Sequence, residues 1–340
     1  MSRWIVFHVT ERCGLTCQHC LRDPGARPVD LPLAVVEKAL DEAGALHGIR
    51  HAGFTGGDPL LWPHLAGAVD AVARRGFTWH LVTSGRGFDR LLALLDQAPP
   101  RREALSVLDF SVDGATEATH DAIRGTGSHR DAMTAIAACS ARGLPFAVQM
   151  TLNARNEGEL EQAALAAAEL GAKQVSFAMT NATGSHADRD LYLSPAALDR
   201  IRDRVERLST LLHVPVTLAE GFRRGWRFHV CEPFRSEVLH VTPHGMLNLC
   251  CNHSGVPGSD EDVVADLAVE SLADGHRKLL GLIHRLERER LDAIAAAPGQ
   301  KPGWDDFPCN RCLARLGKPH WVDGGSAGPR AIRAAEVGKE

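Results

Sequence analysis

Nine cysteines in 340 residues fall largely into two groups, and the first has the spacing C-x3-C-x2-C in the run Cys13-Gly-Leu-Thr-Cys17-Gln-His-Cys20. Three thiols so close together, just past a strand-like segment, suit a loop wrapped around a metal. Three thiolates leave one iron of a four-iron cubane without a protein ligand, and chemistry at a cluster requires such an open position. The alternative is zinc, which in a structural site takes four ligands. His19 is nominally a fourth, but it sits between two of the thiols and would point away from a metal bound by its neighbours. The second group is Cys231, Cys250, Cys251, Cys309 and Cys312, with the last two spaced C-x2-C. A disulfide framework belongs to small secreted domains, so in a chain of this length both groups read as metal ligation or redox chemistry.

The elements that must position these groups follow from hydrophobic periodicity. From residue 4 to about residue 212, short β-rich runs alternate with amphipathic helical stretches, the pattern of repeated βα units around a parallel sheet. Strands are predicted at 5–10, 51–55, 78–83, 106–112, 146–152 and 174–179. Asp30 reads as the cap of a helix with Leu33, Val36, Leu40 and Ala43 on one face, and Ser128 as the cap of one ending at Gly143. Asn156 with Glu159 reads as a capping box before a helix ending at Gly171, and Ser194-Pro195 starts a sixth helix. Six units are too few to close an eight-stranded barrel. The expected fold is therefore α/β, a partial (β/α)6 TIM-like barrel over residues 1–215 with its chemistry at the carboxyl ends of the strands. A smaller C-terminal unit over 216–323 is expected from short β pieces at 237–242 and 246–249, joined as a hairpin by a Pro-His-Gly turn, and one helix near 279–297. The stretch Ala297-Pro-Gly-Gln-Lys-Pro-Gly is a loop by composition, and 324–340 is a C-terminal tail.

Composition narrows the partners. Basic residues number 38 against 42 acidic ones, a net charge of −4, which offers no excess with which to neutralise a polyphosphate backbone. No apolar run approaches the ~20 residues that a membrane-spanning helix needs. The chain opens Met-Ser-Arg-Trp-Ile-Val-Phe without a signal-peptide pattern. Nucleic acid and membrane are not expected partners, and a cytoplasmic location is expected.

After the second predicted strand stands Thr55-Gly56-Gly57-Asp58-Pro59, and after the third Thr83-Ser84-Gly85. Along the fourth runs Phe110-Ser111-Val112-Asp113-Gly114, followed by His120-Asp121-Ala-Ile-Arg124-Gly125. Together with the cysteine loop, these motifs at the ends of four successive strands resemble the radical S-adenosylmethionine (SAM) superfamily. The resemblance implies a [4Fe–4S] cluster on Cys13, Cys17 and Cys20 whose open iron chelates the amino and carboxylate groups of SAM, with His19 beside the adenine. The Thr55–Pro59 segment is similar to the family's Gly-Gly-Glu-Pro motif with Asp in place of Glu. That implies a SAM amino site made by the backbone around Thr55, Gly56 and Gly57 and by Asp58. Ser84 stands in a segment resembling Thr-Asn-Gly. The fourth segment resembles the Ser-Leu-Asp-Gly and His-Asp-x-x-Arg pattern of the peptide-modifying branch, which implies that Ser111, Asp113 and Arg124 belong to the SAM site, Arg124 through a charge-assisted fork to the carboxylate.

The late cysteines resemble the auxiliary-cluster region of SPASM and Twitch proteins. The cysteines of a third cluster are missing, so one auxiliary [4Fe–4S] cluster is implied, on Cys231, Cys250, Cys309 and Cys312, with Cys251 as an alternative ligand to Cys250. Four thiolates leave no open iron and point to electron transfer or structural support; structural zinc is the other occupant such a set can hold. Cys251 is the candidate catalytic thiol. Adjacent residues of an extended segment face opposite sides, so it would turn away from the cluster and return hydrogen to a substrate radical. Cys139 reads as a core thiol, and His240, His244 and His253 as hydrogen-bonded surface groups. Arg223, Arg224 and Arg227 form a basic patch, read as a solvated face or a contact for an acidic peptide or a reductase donor such as flavodoxin or ferredoxin.

The activity implied is reductive cleavage of SAM, followed by hydrogen abstraction from a substrate carbon by a 5′-deoxyadenosyl radical. Return of hydrogen by a thiol makes an epimerase or other modifier of a ribosomal peptide or natural-product intermediate, the leading expectation. Removal of an electron by the auxiliary cluster makes a dehydrogenase or a cross-link-forming maturase. A non-catalytic Fe–S or zinc binding module is the remaining alternative, and Gly56-Gly57-Asp58 with Ser111 and Arg124 argue against it. The first strand begins almost at Met1, so no leader-binding domain is expected ahead of the barrel, which favours a small molecule or a peptide presented by another protein.

Overall fold

A computed structural model describes residues 4–22, 27–181, 189–220, 230–254, 256, 259–297, 308–318, 321–322 and 330–331. The Arg223, Arg224 and Arg227 patch, most of the loop after Ala297 and nearly all of the expected tail lie outside the described residues.

Six strands, Trp4–Thr10 (β1), His51–Gly56 (β2), Thr78–Thr83 (β3), Leu105–Ser111 (β4), Phe146–Leu152 (β5) and Val175–Met179 (β6), pair in sequence order, each parallel to the next. Between them run helices Leu33–His47 (α1), Leu65–Arg74 (α2), Asp89–Gln97 (α3), Pro99–Glu103 (α4), Glu117–Arg124 (α5), Ser128–Arg142 (α6) and Leu160–Glu169 (α7), with Pro195–Leu211 (α8) after β6. A short seventh parallel strand, Val216–Leu218 (β7), pairs with β6 just past the boundary expected at residue 215. Three residues are too few for an alternating pattern to be read from sequence. On the other side of β1, Val238–Val241 (β8) pairs parallel to it and continues antiparallel into Met246–Asn248 (β9) and Val263–Asp266 (β10). The order β10-β9-β8-β1-β2-β3-β4-β5-β6-β7 leaves two free edges, so the fold is an open, partial barrel extended by the C-terminal hairpin.

Alternation decides what faces the helices. In β1, Ile5, Phe7 and Val9 are wholly buried, while Trp4, Val6 and His8 point to the concave side and are less so. Phe7 stacks on Phe54 with centroids 6.1 Å apart, in the same core as Val36, Leu40 and Ala43 of α1. Each buried aromatic or branched side chain contributes about 1.5–3 kcal/mol relative to exposure. The concave side, by contrast, carries polar groups: His8, Thr55, Ser111, Gln149 and Thr151.

Helix Leu272–Ala296 (α9) fastens the C-terminal unit to the barrel. Lys38 of α1 donates to the carbonyls of Leu267 (2.8 Å) and Glu270 (2.5 Å), and Glu42 accepts from the Leu272 amide. This helix begins seven residues before the expected start, capped by the Ser271 side chain. Gly275 lies where a Cβ would come within 2.9 Å of Ala265, so it permits close approach to β10. A last helix, Pro308–Arg315 (α10), carries Cys309 and Cys312.

Three expected caps are corrected. Asp30 does not cap α1; its carboxylate accepts from Thr10 (2.6 Å) and Arg12 (2.8 Å). Ser128 is the first residue of α6, and Asp121 accepts from the Gly127 and His129 amides instead. Asn156 and Glu159 make no capping box for α7: Glu159 accepts from Ala115, Thr116 and Thr119, and Asn156 binds the backbone at Asp113 and Thr151. For Asp30 and Glu159 a partner distant in sequence replaces the local one, while at the start of α6 the Asp121 side chain takes the capping role.

Candidate active site

The loop after β1 brings Cys13, Cys17 and Cys20 to the wall of a cavity of about 270 Å³ at the carboxyl ends of the strands. Burial pushes Cys17 up to about 11 and raises Cys13. Burial disfavours the thiolates of Cys13 and Cys17 unless a cation compensates, and three such sulfurs fit a soft metal centre. The loop is held from several directions. Arg86 donates to the Gly14 carbonyl (2.9 Å), Arg22 to that of Leu15 (3.2 Å), and the Gln18 amide to Ile123 at the end of α5 (3.0 Å).

Gly56 and Gly57 explain how β2 meets that loop. The Gly57 amide donates to the Thr10 carbonyl (2.6 Å) and the Asp58 amide to that of Arg12 (2.7 Å). A Cβ on Gly56 would lie 2.4 Å from the Thr10 oxygen, and one on Gly57 2.2 Å from the Arg12 oxygen, so no other residue permits this approach. Thr55, Gly56, Gly57, Ser84, Ser111, His19 and Arg124 all line the cavity. Asp58 is buried beside the residues that line it. Its carboxylate accepts from the Thr83 hydroxyl (3.0 Å), the Ser84 hydroxyl (2.6 Å) and amide (3.1 Å), and the Leu60 amide (3.1 Å). Through these bonds Asp58 holds the end of β3 and presents Ser84.

Asp113 is the centre of the polar network beneath the cavity and is wholly buried. One carboxylate oxygen binds His19 Nε2 (2.6 Å) and Arg124 Nε (2.5 Å); the other accepts from the Thr151 amide (2.8 Å). Burial alone raises this carboxyl, but the charges and hydrogen bonds of Arg124 and His19 outweigh it and hold the group well below the usual carboxylate range. Asn156 closes the network, donating to the Asp113 and Thr151 carbonyls (3.0 and 2.9 Å). Sequence reasoning missed Asn156, Arg86 and Arg22 as supports of the site, because nothing in their local spacing marks them.

All five late cysteines line a second cavity of about 570 Å³, together with His240 and His253. Burial pushes Cys231 up to about 12 and Cys309 to about 11, and raises Cys312. The expected opposition of Cys250 and Cys251 is corrected: a nitrogen of His240 and both sulfurs lie within 4.8 Å of one another. Extended backbone ends at Cys250, and residues 251–253 form a 3-10 turn, so strand alternation no longer applies. His240 and His253 are buried, 6% and 3% exposed, rather than surface groups. Burial lowers His240 to about 3, which keeps its ring neutral. Behind the cavity, Lys318 pairs with buried Asp262 (3.0 Å) and donates to the Val256 carbonyl (3.3 Å), fastening the end of α10 to the segment after Cys251. Cys139, by contrast, packs in the core of α6, as expected. Gln149, Ala178, Met179, Asn181 and Asn252 line both cavities, so the two adjoin. Among the described residues, no helix is long and apolar enough to cross a membrane.

The PqqA peptide cyclase of Methylocella silvestris is 27% identical over 267 residues, covering 75% of this chain and 69% of that protein. The mycofactocin maturase MftC of Mycobacterium tuberculosis is 28% identical over 172 residues, 49% of this chain and 42% of that one, so the chain spans less than half the length of the maturase. Among solved structures, Streptococcus suis SuiB bound to S-adenosylmethionine superposes with a TM-score of 0.68 at 13% identity, over 84% of this chain and 68% of that one. Native anSMEcpe with bound AdoMet gives 0.63 at 12%, over 84% of each chain. At such identities the structures speak for the fold. The profile of the Radical SAM superfamily matches residues 7–183, more than half of the 340, and the chain therefore belongs to the radical SAM superfamily, an enzyme family whose cofactors are a [4Fe–4S] cluster and SAM.

Proposed function

We propose that this enzyme modifies a peptide oxidatively, forming a cross-link or a new unsaturation, with Cys13, Cys17 and Cys20 holding the SAM-binding cluster and the larger cavity holding an auxiliary metal centre within residues 216–323. When bound, the cluster and SAM supply the radical that removes a hydrogen atom from a substrate carbon. The protein's part is positioning. Arg124, fixed by Asp113, and Ser84, fixed by Asp58, present a cation and a hydroxyl to a ligand carrying carboxylate and amino groups, and His19 offers its ring to the adenine. The observation that carries the oxidative outcome is the common wall of Gln149, Ala178, Met179, Asn181 and Asn252, which leaves a substrate radical at the smaller cavity next to the larger one. An auxiliary centre held there would supply the acceptor for a second electron, with a proton lost to solvent, so that the product has lost two hydrogens.

Relatives named as a peptide cyclase and a maturase support a peptide substrate. A low-potential donor such as flavodoxin or ferredoxin and a cytoplasmic setting belong to the same reading. Epimerisation with Cys251 as hydrogen donor is the second reading, favoured by that thiol's place on the wall of the larger cavity. Reduced enzyme with SAM and peptides encoded beside it, run in deuterated water and read by mass spectrometry, separates the two. Oxidative modification gives a product lighter by two hydrogens; epimerisation gives unchanged connectivity with one deuterium at carbon, and that result sinks the lead reading.

A further inference from the structure

We infer that His240 is itself a ligand of the metal centre in the larger cavity, making that centre a mixed thiolate–imidazole site rather than an all-cysteine one. The inference rests on the reading that this cavity holds a metal.

Three observations carry it. First, the ring nitrogen of His240 and the sulfurs of Cys250 and Cys251 all lie within 4.8 Å of one another, and they form the one such set of three among the described residues. Donors on a single tetrahedral ion, with bonds of about 2.0–2.3 Å, stand roughly 3.3–3.8 Å apart, so small shifts bring these three onto one ion. Second, His240 is 6% exposed and its Nδ1 is enclosed with no hydrogen-bond partner. A buried ring nitrogen left unmatched is destabilising, and a metal, or a proton partner recruited by metal binding at the other nitrogen, removes that deficit. Third, the sheet sets the position rigidly. His240 pairs with Val6 of β1 on one side and Asn248 of β9 on the other. Cys250 is two residues beyond Asn248, whose side-chain amide donates to the Cys250 carbonyl (3.0 Å) and ties that segment to the strand end beside His240. The 3-10 turn that follows then folds Cys251 back toward the same point.

All five late thiols line the same cavity as His240.

The test uses the full-length chain carrying Cys13→Ala, Cys17→Ala and Cys20→Ala, so that only the second site takes up metal, reconstituted without oxygen with iron and sulfide and, separately, with zinc. X-ray absorption at the bound metal is expected to show one nitrogen neighbour among sulfurs. For a reduced iron centre, pulsed EPR is expected to show a nitrogen coupling that changes when histidine is labelled with 15N. His240→Cys should keep the metal and lose the nitrogen signature, and His240→Ala should lower metal content at least about twofold. A sulfur-only shell in the unsubstituted site, or a nitrogen signature that survives in His240→Cys, overturns the assignment while leaving the metal site standing. Absence of any bound metal in the triple variant, with the wild type binding about four irons, overturns both.

Discussion

Asp113 shows how one buried carboxylate organises this active site. It binds His19 of the cysteine loop, Arg124 of α5 and the Thr151 amide of β5, three segments that otherwise share no strand ladder with one another. Because Arg124 is itself buried, its removal strands the charge of Asp113, and breaking a buried pair from one side costs about 3–5 kcal/mol. Arg124→Ala is therefore expected to weaken SAM binding in calorimetry and also to lower stability by that order in urea denaturation. Arg124→Ala combined with Asp113→Asn should be less destabilised than Arg124→Ala alone. The pH dependence follows from the sign of the shift. The folded carboxyl lies well below its ordinary value of 3.8, so its contribution is complete above that value and is lost as the pH falls below it toward the folded value. The stability gap between wild type and Asp113→Asn should accordingly be constant from pH 7 to 5 and narrow below pH 4; a gap that widened in acid would remove Asp113 from this role.

At the scale of elements, the glycine pair at the end of β2 is where backbone meets backbone. Gly57→Ala places a methyl 2.2 Å from the Arg12 carbonyl oxygen, and either the cysteine loop or the end of β2 must move. Such overpacking costs about 1–3 kcal/mol. The expected outcome is a folded protein that has lost most of the iron of its first site and its SAM binding, while metal at the second site is retained. Iron analysis with SAM calorimetry checks this; full iron and wild-type affinity would show that the loop adapts. The C-terminal unit depends on a different device. Cys309 and Cys312 sit on α10, 58 or more residues after Cys251, and the buried Lys318–Asp262 pair holds that helix against the segment behind Cys250 and Cys251.

Across the whole molecule, two donor sets sit in adjoining cavities along one continuous sheet. The first is carried by the loop after β1, and the second by the hairpin that pairs with β1 from the other side, so β1 is the strut between them. Anaerobically reconstituted wild type should accordingly hold about eight irons if both sites take four-iron clusters, and the variant lacking Cys13, Cys17 and Cys20 about four, with SAM cleavage abolished. Four irons and one zinc in the wild type would assign the second site to zinc and remove the electron acceptor from the proposed reaction.

Local patterns were enough for much of this. Strand alternation located six parallel strands within two residues at either end, and the spacing of Cys13, Cys17 and Cys20, with glycines at the strand ends, placed the first site at the carboxyl edge of the sheet. Those signals are short-range, set by side-chain period and backbone freedom, and they can be read without knowing what packs on what. Tertiary structure decided the rest. Asp113 meets His19 across 94 residues, Glu159 meets Ala115 across 44, and Asp58 meets Thr83 and Ser84 at the end of the next strand. Nor does local sequence show that β8 joins the barrel sheet beside β1, which buries His240 and sets it next to Cys250 and Cys251. Such partners are chosen by burial, since a polar group taken out of water must bind whatever the fold brings to it, and only the folded chain determines what that is.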